Sequence, residues 1–451
     1  MTKKTDSQIK KGQVRAEAPN GGNELKRPAS VPLREPKGMH DILPYEQPYW
    51  DRISKVVSNL ADFYGFWKID TPILEFAELF IRGIGEDTNI VEKEMYLLKT
   101  KGGDLLALRP EGTAPIARSY LEHNLGRIRQ PQKLYYWGPM FRHENPQAGR
   151  YRQFYQAGFE IVGGVADPIY DAQVIVVSTR LLDSLKIKNV SLKMNSIGCR
   201  ICRPIYKRNL KNYYRHYEKE LCVDCIRRLK TNPLRLLDCK NKDCEQFKEK
   251  APNFLDKLCA TCTRHLQSVL EYLDELKIPY DMDNQLVRGL DYYSRTVFEF
   301  FAEGTPGAIC SGGRYDYLIE VLGGRMTPAV GAASGIERLI EVMKTQDVKL
   351  PVRNLKKVFI IHVGQLAKKK SLTIIEDLRQ AGISVSEALS KDSIKVQMRV
   401  ADKQGARFVL IFGQREIYEE SIILRDLKSG LQESVVLAKL ASELQKRLRE
   451  P

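Results

Sequence analysis

Between Leu105 and Gly163, Arg109, Arg142, Arg150 and Arg152 lie near the ends of expected strands or in the loop between them, with Glu111, Glu144 and Glu160 among them. A guanidinium fork binds phosphate or carboxylate through two parallel hydrogen bonds and can neutralise charge that develops at phosphorus. In a strand over Phe154–Val162, alternate residues share a face, so Gln156 and Glu160 stand together. That pair suits a ligand with one ammonium-like and one hydrogen-bonding group. A salt-bridged, solvated sheet face is the competing reading. Three further clusters carry arginine. Leu286–Arg295 places Arg288 before Gly289, a residue whose missing side chain lets backbone approach a ligand. Ser311–Asp316 reads SGGRYD, and Pro328–Arg338 uses small residues to bring strand and helix close, with Arg338 on the first helical turn. Neither of the usual glycine-rich nucleotide loops occurs, so a nucleotide here would have to be held by arginines.

The cysteines form a second chemistry. Eight of the nine fall between residues 199 and 262, in the pairs Cys199/Cys202, Cys222/Cys225, Cys239/Cys244 and Cys259/Cys262. Two thiolates two to four residues apart can share one tetrahedral Zn²⁺, and two such pairs complete a site. Four pairs permit two zincs, with the combination of pairs left open. An all-cysteine set is normally closed and structural, not catalytic. Cys310, alone beside Gly312 and Gly313, reads as a buried structural residue.

The elements that must position these groups follow from periodicity. A helix is expected from about Tyr45 to Tyr64, stopped by Gly65. Strands are expected at 105–109, 133–137, 154–162, 190–194 and 296–300, with helices near 114–123, 169–185 and 335–343. That mixture is α+β, without strict βαβ alternation. Residues 196–266 look like a helical insertion. A linker is expected from Lys349-Leu350-Pro351. After it come strand 358–363, helix 371–381, strand 383–386, helix 394–401, strands 408–412, 421–425 and 433–437, and a final amphipathic helix. The expected division is a disordered basic tail over 1–37, a body over 38–350 interrupted by the insertion, and an α/β domain over 355–451.

The net charge of +16 over 451 residues is unevenly spread. The tail has nine basic and four acidic residues, residues 195–265 have 17 and 8, and residues 355–451 have 18 and 12, whereas the remainder is slightly acidic. Basic appendages on a near-neutral body suit a polyanion such as nucleic acid, although solubility alone would also account for them. No apolar run is long enough to span a bilayer and the N-terminus lacks a secretory core, so a cytoplasmic protein that does not enter membranes is expected.

The segments GPMFRHE and GRYRQF resemble motif 2 of class II aminoacyl-tRNA synthetases, and AVGAASGIERL resembles their motif 3. The helix ending at Tyr64, with the strand after it and Pro72, resembles motif 1. LVRGLDYY and GGRYD are similar to the two signatures of the histidyl-tRNA synthetase family, and RPEGTA, EKEMY and NSIG match it as well. The resemblance covers about residues 35–451 and is to the bacterial type, here with a cysteine-rich insertion.

The resemblance implies a class II antiparallel sheet flanked by helices, an insertion between motifs 2 and 3, a C-terminal anticodon-binding domain, and a homodimer. It implies activation of L-histidine by ATP with Mg²⁺, giving histidyl-adenylate and pyrophosphate, then transfer of histidine to the 3′ end of tRNA(His). Arg142, Glu144, Arg288 and Arg338 would form the ATP site, with Arg142 and Arg288 catalytic at the α-phosphate. Glu111, Thr113 and Gln156 would hold the α-amino group. Glu160 and Tyr293 would hold the imidazole, with Tyr292 and Tyr315 lining the pocket. Gln147 or Arg150 would meet the acceptor end, because Asn145 stands where relatives usually have a basic residue. Zinc on the eight cysteines would brace a basic lobe. The competing identities are the non-catalytic, synthetase-like regulatory subunit of ATP phosphoribosyltransferase and a zinc-stabilised RNA-binding protein with an inactive core.

Overall fold

The computed structural model describes residues 33–86, 88–147, 149–350 and 358–449. The expected basic tail, up to residue 32, and the linker from Pro351 to residue 357 lie outside the described residues.

Eight strands form the main sheet, in the order 67–68, 132–141, 153–162, 329–335, 310–314, 294–302, 190–196 and 281–282. The six central strands pair antiparallel, and only the two short edge strands join in parallel. This is the antiparallel, helix-flanked sheet that the α+β reading expects. Along Gln132–Phe141, buried residues alternate with half-buried ones, the period-2 signature of a sheet with one face in the core. The helix Gln47–Tyr64 covers part of the sheet through Ile53, Val56, Val57 and Ala61. It ends where Gly65 turns left-handed at φ 72° and donates back to the last turn, as a glycine C-cap does. Trp50 on this helix meets Tyr155 edge-on at 5.0 Å. The helix Ile169–Ser184 packs in the same core.

A fully buried ion network locks this helix to the sheet. Arg314 donates to both Asp171 oxygens and to Asp316, while His265 adds a contact to Asp171 at 3.2 Å. Burial alone would raise the Asp171 pKa, but Arg314 and His265 outweigh it and hold the carboxyl well below its usual range. The arginine of GGRYD is therefore turned inward, to a structural task.

No strand interrupts the chain between Ser196 and Asp281, and the helices Cys202–Arg215, Val223–Thr231, Lys242–Glu245 and Ala260–Glu275 fill the interval. The last helix runs past residue 266, because Val269 and Leu273 in its second half are buried in the main core. The insertion thus ends on a helix that begins among the cysteines and finishes in the body.

Residues 358–449 build a five-stranded sheet in the order 385–387, 358–362, 408–412, 421–426 and 432–436. Its first three strands are parallel and the rest antiparallel. The first helix there spans Gln365–Gln380, six residues earlier than expected. The Lys368–Lys370 run hid its start, although Ala367 and Ser371 are buried at helical spacing. The expected strand at 105–109 is present as Leu105–Leu108, the middle strand of a small sheet whose other two strands, 74–76 and 97–99, were not foreseen; nor was a short helix, Gln414–Tyr418.

Candidate active site

Three arginines from separate segments line one open cleft of about 1140 Å³: Arg142 at the end of strand Gln132–Phe141, Arg288 in the loop after Met282, and Arg338 in the first turn of helix Ile336–Thr345. Glu111, Thr113, Gln156, Tyr292 and Tyr293 line it as well.

Each arginine is held by its stem or by one edge. Arg142 Nε donates to the Pro110 carbonyl at 2.9 Å, and its guanidinium lies 5.3 Å from the Phe154 ring. Arg338 Nε donates to the Gly149 carbonyl at 3.0 Å and Nη1 to the Ala308 carbonyl at 2.5 Å. Burial and then the nearby Arg150 lower the Arg338 pKa. Arg288 pairs with Glu299 and stands 5.3 Å from the Tyr293 ring. Glu144 lies 3.5 Å from Arg150 and 4.0 Å from Arg142. The half-filled guanidiniums leave donors toward the cleft, which suits phosphate.

The amino-acid end is built differently. Glu111 caps the helix Thr113–Glu122, accepting from the N–H groups of Thr113 at 2.7 Å and Ala114 at 2.8 Å. Tyr292 adds its hydroxyl at 3.3 Å. Gln156 lines the cleft with a buried Oε1 that has no hydrogen-bond partner. A buried acceptor left bare costs free energy until a donor arrives, so this oxygen is free to accept from a ligand's hydrogen-bond donor.

Glu160 and Tyr315 stand behind the cleft wall instead of on it. Glu160 is 1% exposed. Its oxygens accept from Thr113 Oγ1 at 2.8 Å and Tyr315 Oη at 2.6 Å. Burial pushes its pKa up to about 8, against the two hydroxyl hydrogen bonds and with help from Glu111. Gly331 sits opposite Glu160 in the strand register, and a Cβ there would come within 1.5 Å of Glu160 Oε2. Burial raises the phenol pKa of Tyr293 too, so it keeps its proton.

Arg109 and Arg152 do not reach the cleft. Arg109 is buried on the Pro139 and Thr71 carbonyls, and Arg152 binds the Glu144 carbonyl. Gln147 is exposed and pairs by backbone with Arg150 across the motif 2 turn; Arg150 lines the cleft and Gln147 does not. Gly289 lines the cleft, but its carbonyl accepts from Arg235. Three residues escaped the sequence reading: Glu299, Tyr136 and Glu94. Glu299 was detectable as the one carboxylate in the apolar strand TVFEFF. Tyr136 belongs to an alternating strand and carried no signal. Glu94, whose pKa is raised by burial and then by Glu144, lies in the EKEMY segment.

The eight cysteines resolve into two quartets, Cys199/Cys202/Cys259/Cys262 and Cys222/Cys225/Cys239/Cys244, each with all sulfurs within 4.8 Å of one another. The first pair thus joins the fourth and the second joins the third. A Zn–S bond of about 2.3 Å requires sulfurs about 3.8 Å apart on a tetrahedron. The distances are 3.7 Å for Cys199–Cys202, 4.0 Å for Cys199–Cys259 and 3.8 Å for Cys222–Cys239. Backbone N–H groups of Ile201, Cys259, Cys222 and Asn241 point at sulfurs, as thiolate acceptors favour. Both quartets could hold a metal ion. Cys310 is buried apart from them.

No helix among the described residues is long and apolar enough to cross a membrane. The family model "Histidyl-tRNA synthetase" matches residues 38–339 and the model "Anticodon binding domain" matches residues 357–447. A histidine–tRNA ligase of Dehalococcoides mccartyi is 46% identical over 417 residues, 92% of this chain and 100% of the relative. One from Halothermothrix orenii is 44% identical over 416 residues, 92% of this chain and 99% of the relative. The crystal structure of apo Staphylococcus aureus histidyl-tRNA synthetase superposes with a TM-score of 0.77 at 34% identity, covering 91% of this chain and 99% of that one. With two family models in chain order and relatives matched over nearly their whole length, this chain belongs to the histidyl-tRNA synthetase family.

Proposed function

We infer that the chain is a histidine–tRNA ligase that activates L-histidine with Mg²⁺-ATP and esterifies the 3′-terminal adenosine of tRNA(His). The observation that carries this reading is the single cleft on which Arg142, Arg288 and Arg338 converge with Glu111, Thr113 and Gln156. The histidine carboxylate attacks the α-phosphorus, and the bond to the bridging oxygen breaks to release pyrophosphate. No base is needed, since the carboxylate is already ionised. Arg142 and Arg288 stabilise charge on the α-phosphoryl oxygens and Arg338 holds the γ-phosphate, with Glu144 steering the arginines. Glu111, Thr113 and Gln156 take the α-ammonium. Glu160 and Tyr293 take the two imidazole nitrogens, a polar match that apolar isosteres cannot reproduce, and Tyr292 and Tyr315 support them. In the second step the ribose hydroxyl attacks the acyl carbon and AMP leaves.

Arg150, which lines the cleft, would meet the tRNA acceptor end, and residues 358–449, matched by the anticodon-binding family model, the anticodon. The two cysteine quartets are structural Zn²⁺ sites, with thiols kept reduced in the cytoplasm. A homodimer is supported by the apolar residues left exposed around motif 1, among them Phe63, Trp67, Phe76 and Leu97. The regulatory-subunit reading is disfavoured by the matched anticodon-binding domain and the intact arginines. Pyrophosphate exchange across the twenty amino acids tests the reading. Exchange with histidine alone is expected, and its absence in folded protein with Mg²⁺-ATP would overturn the proposal.

A further inference from the structure

The loop that carries Arg288, Tyr292 and Tyr293 is held from outside the sheet. Asp291 is its anchor. The backbone N–H of Asp291 donates to the Ile84 carbonyl at 3.0 Å. Its carboxylate accepts from Asn232 Nδ2 at 2.9 Å and from Arg235 Nη2 at 3.0 Å. Arg235 Nη2 also donates to the Gly289 carbonyl at 2.7 Å. Arg203 donates to the Asp291 carbonyl at 3.3 Å and to the Tyr293 carbonyl. Every one of these side-chain donors comes from the cysteine-rich insertion. Asn232 and Arg235 are buried, so their geometry is set by packing, not by solvent.

The donors are also tied to the cysteines. Arg203 directly follows Cys202 of the first quartet. Asn232 and Arg235 lie on the segment between Cys225 and Cys239, whose two ends are both in the second quartet. A metal joining those sulfurs closes the segment into a loop and restricts where Asn232 and Arg235 can point. Cys222 and Cys239 themselves line the cleft.

We propose that the metal-braced insertion is a positioning element for amino-acid activation. Through Arg203, Asn232 and Arg235 it holds residues 289–293 so that Arg288 and Tyr293 face the reacting groups, whether or not tRNA is bound. The proposal rests on the reading of the cleft as the histidine-activation site and of the quartets as zinc sites. An insertion that served only the tRNA would leave the first step untouched.

The test is histidine-dependent ATP–pyrophosphate exchange by the full chain with no tRNA present, combined with hydrogen exchange of the 286–293 amides. Arg235→Met keeps the stem and removes the donors to Gly289 and Asp291. Its kcat is expected to fall roughly tenfold or more, the effect of losing hydrogen bonds to a charged partner. KM for ATP should change little, because Arg142 and Arg338 are not held by this clamp. Amides of 286–293 should exchange faster while those of strand Gln153–Val162 do not, which separates local loosening from misfolding. Arg235→Lys should recover part of the rate. Protein stripped of metal by a chelator under reducing conditions should show the same loosening, reversed by added zinc. Unchanged kcat and protection in Arg235→Met, with wild type active, would overturn the proposal alone. Full protection of 286–293 after metal removal would also overturn it. No exchange activity in wild type would overturn the underlying reading and the proposal with it.

Discussion

Replacing Glu160 with Gln should remove one limb of the pH dependence of histidine binding. Burial sets the Glu160 pKa at about 8, so in the empty protein roughly nine molecules in ten carry a protonated carboxyl at pH 7 and one in ten at pH 9. Free imidazole titrates near 6.5. Between those values the protein brings one proton, the ligand none, and the complex shares that proton between carboxyl and ring. Above about pH 8 the proton must be taken from solvent, and affinity falls tenfold per unit. The wild-type Kd should therefore weaken about tenfold between pH 7 and pH 9 relative to Glu160→Gln, whose amide does not titrate. At pH 7 the variant should bind about 10- to 100-fold more weakly, as expected for an altered hydrogen bond in a buried polar site. Calorimetric titration with L-histidine at several pH values, without ATP, measures both. Titration of the ligand amino group and of Glu111 occurs in both proteins and cancels in the ratio. The Tyr293 phenol, raised by burial, remains protonated throughout. Parallel Kd profiles for the two proteins from pH 7 to 9 would refute the reasoning.

Arg288→His should lower kcat for pyrophosphate exchange by about 100-fold or more while KM for ATP moves a few-fold, because its charge acts on the transition state; equal effects on both would contradict that role. Gly331→Ala drives a methyl into Glu160 Oε2 and should abolish histidine binding in calorimetry, with an overpacking cost to stability of about 1–3 kcal/mol; normal binding would exclude Glu160 from the site. Elemental analysis of protein purified without chelator should find two zincs per chain for the two quartets, and Cys222→Ser should lose one of them and lower the thermal midpoint. Asp171→Ala leaves Arg314 buried without its main partner and should cost about 3–5 kcal/mol in denaturant unfolding.

Much of the fold was legible wherever a signal was local. Gly65 at the end of an apolar-periodic helix is a left-handed cap, and Phe408–Phe412, a short apolar run rich in β-formers, is a strand with those bounds. The start of helix Gln365–Gln380 was obscured by three consecutive lysines, whose polarity masks a helical period carried by Ala367, Ser371 and Ile374. The arginines of the cleft were legible because each sits in a short segment with its own composition. Glu299 stood out only as a lone carboxylate in an apolar strand, with its partner Arg288 in another segment, and Asp291 was not legible, since its partners Asn232 and Arg235 come from the insertion.

The sequence by itself determined which chemistry is available: four cysteine pairs at ligand spacing, three arginines in ordered motifs, and a carboxylate and an amide on one face of a strand. Spacing of a few residues is enough for that, because helix and strand periods are properties of the local backbone. Tertiary structure decided how the parts combine. The cysteine pairs join as first with fourth and second with third, and only the insertion's fold brings sulfurs up to 60 residues apart to within 4.0 Å. The register of strand 329–335 against 153–162 decides that Gly331, the residue with no side chain, faces Glu160. Had that pairing slipped by one residue, every side chain would have changed faces. Burial then converts an ordinary glutamate into one that keeps its proton near neutral pH, an effect set by the surrounding wall and by nothing adjacent to it in the chain.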